Sequence, residues 1–153
     1  ITDEAGLFDI PDGSLDAISL WHVLEHIYPI SERLSSFPEK LRPDGTLFVA
    51  LPNMNSYDAK SYGSYWAAFD VPSHIYHFTP ESITTLMKEH GFDMIASRPM
   101  LLDAFYISML SEKYKSGRSI IIQAGFTGLA SNIQASLKGR NYSSLIYIFK
   151  KSK

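Results

Sequence analysis

Asp16 to His26 reads DAISLWHVLEH, and Leu41 to Asn53 reads LRPDGTLFVALPN. The first stretch is an apolar, strand-like run that ends among imidazole and carboxylate side chains, His22, Glu25 and His26. Open α/β enzymes place their chemistry at the carboxyl ends of strands, so this order predicts a strand that delivers a site. The second stretch opens on a turn signal, Pro43, Asp44 and Gly45, and continues as TLFVAL, apolar on both faces as a central parallel strand is. Between the two, Ile30, Leu34, Phe37 and Leu41 recur at helical spacing, and Pro38 inside that run predicts a kink or two short pieces. Strand, helix and strand in this order predict a right-handed βαβ unit.

Downstream, residues 53–80 are rich in Tyr, Trp, Phe and His without clear periodicity. So long an irregular segment in a compact domain reads as a functional lid, partly helical over 56–68. Thr79 reads as an N-cap and Pro80 as the first helical residue, with Glu81 near the positive end. Ile83, Leu86, Met87 and His90 mark a helix that closes at Gly91. Phe92 to Ser97 reads as a strand, residues 102–139 as mostly helical, and 143–149 as a final strand before a lysine tail. Asp9 and Asp12 read as turn residues.

A chain of 153 residues with 45% hydrophobic and 13% aromatic content buries one core, so residues 1–153 read as a single domain. With no cysteine, disulfides, thiolate metal sites and cysteine nucleophiles are excluded. No apolar run approaches the ~20 residues of a membrane span. ITDEAGLFD has none of the regions of a signal peptide, and a cytoplasmic location is expected. The first residue is Ile1, which predicts that the chain begins inside a longer protein. A net charge of −2 argues against a nucleic-acid partner held by phosphate contacts. Residues 1–58 hold ten acidic and three basic side chains, residues 59–153 six and eleven. This asymmetry reads as surface scatter with a basic tail or, more sharply, as a basic rim for an anionic substrate or lipid surface.

The series HVLEH, LRPDGTLFVALPN, PSHIYHFTPES and a helix ending HGF resembles the class I S-adenosylmethionine-dependent methyltransferases. It is most similar to the branch with the ubiquinone-biosynthesis O-methyltransferases, over residues 7–99. The resemblance implies an α/β fold with a Rossmann-like, seven-stranded, mostly parallel sheet whose last strand is antiparallel. This chain would supply the fourth strand onward. The N-terminal strands, the glycine-rich loop and the acidic residue after the second strand have no counterpart, and the nine glycines include no GxGxG. The implied protein uses S-adenosylmethionine when complete and methylates a small-molecule acceptor, while this piece by itself is inactive. In it residues 53–80 form an aromatic lid, with Tyr62, Tyr65, Trp66 and Phe69 enclosing the acceptor, and residues 100–140 a helical insertion.

His22, His74 and His77 are the candidates for acceptor positioning or proton transfer, since imidazole titrates near neutral pH. Trp21, His22 and Asp3, or Glu4 in its place, are the candidates for cofactor contact. His22, Glu25 and His26 stand at i, i+3 and i+4, which on a helical turn shares one face. With His74 or His77 they would form a donor set for zinc or another transition metal, although no metal is expected to be needed. Related methyltransferases resemble this stretch with Glu, Glu and His holding a divalent ion. Met100–Tyr114 reads as a core helix or a homodimer helix. The rival readings are a non-catalytic interaction domain that kept the scaffold and a metal-dependent hydrolase built on His22, Glu25 and His26.

Overall fold

Strand β1 (Leu15–Trp21) runs parallel to β2 (Leu41–Pro52), and helix α1 (Ile30–Lys40) joins them. These elements come from a computed structural model that describes residues 9–118 and 120–152. Ile18 lies beside Leu47 and Leu20 beside Val49, so the apolar side chains of both strands share one face. The register shifts between the Leu15–Leu41 and Ala17–Thr46 pairs, and the surplus residues are Arg42 to Gly45. The expected turn is therefore a bulge inside a longer strand. Gly45 is required in it, because a Cβ there would lie 2.9 Å from Leu41 Cδ2 and 3.0 Å from the Arg42 carbonyl oxygen.

Pro38 does not break α1, which is one helix from Ile30 to Lys40. Ile30, Leu34 and Phe37 are all buried, and this apolar stripe outweighs the single backbone hydrogen bond that a proline removes.

Strands β3 (Phe92–Pro99) and β4 (Ser144–Lys151) complete a sheet of order β1-β2-β4-β3. β4 is antiparallel to both neighbours, so β1, β2 and β3 point one way and the last strand the other, as the resemblance implies. Helix α3 (Pro80–Glu89) leads into β3. Thr79 Oγ1 accepts the Ser82 N–H at 3.1 Å, and Ser82 Oγ accepts the Thr79 N–H at 2.9 Å. This reciprocal box satisfies two amides at the helix start. Ile83 and Met87 of α3 join Leu34, Phe37, Val49 and Phe149 in the main core, on one face of the sheet. The opposite face carries Ala17, Ser19, Phe48, Ile146 and Ile148, all partly or well exposed.

Between β3 and β4 the chain forms α4 (Asp103–Ser116) and α5 (Ile121–Leu137). The buried residues of α5 are small: Ala124, Gly128, Ser131 and Ala135. A Cβ on Gly128 would stand 2.8 Å from Phe105 Cδ1 and 3.0 Å from the Phe105 Cα and backbone nitrogen. The two helices thus touch backbone to backbone at that point. Helix α2 (Tyr57–Tyr62) and 3-10 turns at Gly63–Tyr65 and Ala67–Phe69 lie within the stretch read as a lid. There Ala59, Tyr62, Trp66, Ala67, Ala68 and Ile107 make a second, smaller core. Asp58 lies fully buried beneath it and accepts from Trp66 Nε1 at 2.8 Å and from Ser131 Oγ and Ser143 Oγ at 2.7 Å each. One carboxylate thereby ties the lid stretch, α5 and the approach to β4 together.

Candidate functional site

At the end of β1 the His22 N–H donates to the Ala50 carbonyl at 3.1 Å, the last rung before the strand turns away. His22 then adopts φ +50, the left-handed region that few residues other than glycine enter. Only Leu24–His26 form a helical turn, so His22, Glu25 and His26 do not share the helical face that their spacing predicts. The left-handed step at His22 is the reason: it takes the ring out of any helical repeat with its successors.

His22 lies instead between two carboxylates, with Nδ1 3.4 Å from Glu25 Oε1 and Nε2 3.4 Å from Asp103 Oδ2. Asp103 first and Glu25 second raise its pKa from 6.5 to about 9, while burial pulls the other way. At neutral pH the ring is an imidazolium. Asp103 reaches it from the first turn of α4, where a carboxylate also favours the helix dipole.

Glu25 is 1% exposed, and neither of its carboxylate oxygens has a hydrogen-bond partner. Such a group needs a charge beside it, and the His22 imidazolium supplies one. His74 Nε2 stands 3.9 Å from Glu25 Oε1, and His74 Nδ1 bonds the Ala68 carbonyl at 2.8 Å. The Glu25 carbonyl accepts from the Ile75 and Tyr76 amides at 2.9 and 3.2 Å, which seats the histidine loop on the end of β1. His26 Nδ1 bonds the Ser73 carbonyl at 2.9 Å, and its ring meets His74 edge to face at 4.7 Å. His77 Nε2 bonds the Phe69 carbonyl at 2.9 Å. One donor atom each from Glu25, His26 and His74 lies within 4.8 Å of the others. These are donor types that zinc takes, and those three residues would hold it. His22 is not in this group; its two ring nitrogens face Glu25 and Asp103.

Beside His22 opens a cleft of about 500 Å³, a ligand-sized volume. Its floor is the strand ends, Trp21 of β1 with His22 next after it and Pro52 of β2. Ala67, Ala68, Asp70 and His74 form one wall, and Asp103, Tyr106, Ile107 and Tyr114 of α4 the other. Trp21, His22 and His74 are thus brought together. His77 does not line this cleft, and Asp3 and Glu4 fall outside the described residues. The predicted aromatic enclosure also differs: Tyr62 and Trp66 are buried in the second core, because Asp58 takes the indole N–H, and Tyr65 is 48% exposed. Small side chains, Ala67 and Ala68, present that wall instead. Asp103, Asp70 and Tyr106 were not singled out by sequence. Nothing local marks Asp103 in LLDAFY, since its partner His22 is remote in the chain.

A family profile described as a methyltransferase domain matches residues 2–97. No curated protein matches the sequence significantly. Among solved structures, an S-adenosylmethionine-dependent methyltransferase from Thermotoga maritima superposes with a TM-score of 0.60 at 14% identity, covering 94% of this chain and 59% of that one. Another from Archaeoglobus fulgidus gives 0.55 at 18% identity, covering 99% and 66%. The 1,6-didemethyltoxoflavin N1-methyltransferase of Burkholderia thailandensis, which holds S-adenosylhomocysteine, gives 0.51 at 12% identity, covering 93% and 46%. The chain therefore spans about half to two thirds of the length of these three structures. Likeness at these identities shows the fold. With the profile matched over most of its length and the reversed last strand in place, the chain belongs to the methyltransferase-domain family.

Proposed function

We propose that this chain supplies the acceptor side of an S-adenosylmethionine-dependent methyltransferase that acts on a small molecule, as part of a longer chain. The observation that carries the proposal is the cleft at the strand ends, with His22 clamped between Glu25 and Asp103 on its floor. Transfer of a methyl group from a sulfonium is a displacement, so the acceptor must lie in line with the methyl carbon and give up a proton. S-adenosylmethionine supplies the methyl group; Trp21, His22 and Asp3 are the residues of this chain proposed to meet it. As an imidazolium, His22 turns both N–H groups to Glu25 and Asp103, so its role is to set positive charge on the cleft floor and to hold the Asp103 carboxylate there.

His74 is better suited to take the proton. Its Nδ1 faces a carbonyl oxygen and so carries hydrogen, which leaves Nε2 with a lone pair on the neutral ring. Glu25, 3.9 Å from that nitrogen, stabilises the imidazolium formed when the proton arrives. His77 holds the loop in place through Phe69. The longer chain is supported by two features: among the described strands the outer edge of β1 pairs with none, and the second sheet face is partly exposed, whereas sheets of this class are covered on both faces.

The test is calorimetry of the full-length protein with S-adenosylmethionine, followed by transfer assays on small amines and phenols. One cofactor per chain is expected, and His74→Ala should lower kcat by roughly 10²–10⁴-fold with cofactor affinity retained. Absence of cofactor binding by the full-length protein would overturn the proposal.

A further inference from the structure

Helix α5 is built inside out. Its small residues Ala124, Gly128, Ser131 and Ala135 face the protein, while Ile122, Phe126, Leu129, Ile133 and Leu137 face outward. At 100° per residue those five fall in one stripe along a 17-residue helix, about 25 Å of apolar surface. Ile122 is 75%, Phe126 71% and Leu137 77% exposed. Contiguous apolar surface of this kind marks a binding face.

The charges around it say which kind. No Asp or Glu occurs after Glu112, while residues 113–153 carry eight Lys and Arg. Five of these, Lys113, Lys115, Arg118, Lys138 and Arg140, are exposed and bracket α5 at both ends. Two others are used elsewhere: Lys150 Nζ bonds the Asp44 carbonyl, and Lys151 Nζ bonds the Pro38 and Leu41 carbonyls. α5 itself contains no charged residue, and no helix among the described residues is long and apolar enough to cross a membrane. With its inner face seated on the protein and cations at both ends, the outer apolar face of α5 is free to lie in the plane of an anionic bilayer surface, its large side chains below the headgroups.

We propose that α5 docks this protein on an anionic lipid membrane, Ile122, Phe126, Leu129 and Ile133 entering the acyl boundary and the five flanking cations meeting lipid phosphates. A second copy of the chain fits this face poorly, because it would bring five more cations against the first five.

The experiment is co-sedimentation of the full-length protein with phosphatidylcholine vesicles, with and without phosphatidylserine. Binding is expected only with phosphatidylserine and should weaken as sodium chloride rises. The double substitution Lys138→Ser with Arg140→Ser removes two exposed charges that make no core contact and should weaken binding by about fivefold per charge. Ile122→Ser with Phe126→Ser should abolish it while the circular-dichroism melting curve stays unchanged. Three outcomes would overturn the proposal: no binding to phosphatidylserine vesicles, equal binding by the charge variant, or a dimer in sedimentation velocity that dissociates on Ile122→Ser with Phe126→Ser. The last would assign the face to a second copy.

Discussion

At His22 the two flanking carboxylates link stability to pH. Below pH 6.5 the ring is protonated in both folded and unfolded chains, and the ion pairs contribute in full. Between 6.5 and about 9 the unfolded chain releases its proton while the folded one keeps it, so stability falls through that window. Thermal melts from pH 6 to 10 should show a Tm that declines across it, and His22→Asn should flatten the decline. Asp58 makes a larger demand. Asp58→Ala would leave the Trp66 indole and the Ser131 and Ser143 hydroxyls without their acceptor, and a loss on the order of 3 kcal/mol in urea unfolding is expected. His22 was legible as a candidate because it ends an apolar strand. Asp58 and Asp103 were not, because a buried or clamped carboxylate and a surface one look the same in sequence, and only the fold brings their partners in.

Among the elements, α4 and α5 depend on one missing side chain. Gly128→Ala would press a methyl group on Phe105 backbone atoms, which cannot rotate away, so the helices must separate. A destabilisation of about 1–3 kcal/mol is expected, with loss of α5 protection in hydrogen exchange. Removing the cap by Thr79→Ala should cost about 1 kcal/mol in the same unfolding assay. The α3 start was readable because capping is local chemistry, written in Thr79 and Pro80. The continuity of α1 through Pro38 was not, because it rests on burial of Ile30, Leu34 and Phe37 against strands elsewhere in the chain. Likewise Pro43 to Gly45 read as a turn, whereas pairing with β1 before and after them, at Leu41 and Thr46, absorbs them as a bulge.

For the whole molecule, β1 leaves one edge without a strand among the described residues. If the longer chain covers that edge, residues 1–153 expressed by themselves should self-associate with rising concentration, as light scattering would show. A monodisperse monomer would count against the longer-chain reading. The reversal of the last strand was legible only through resemblance, and the strand order not at all, since periodicity finds strands and does not rank them across a sheet.

The position of β4 has a kinetic consequence. Thr46 pairs with Lys150 and Pro52 with Ser144, while β3 reaches β2 only through this same strand. Residues 144–151 are therefore a keystone: their loss would not trim the sheet but split it into two pieces. Assembly has to wait for contacts some hundred residues apart, so the chain should fold slowly, with β3 docking no earlier than β4.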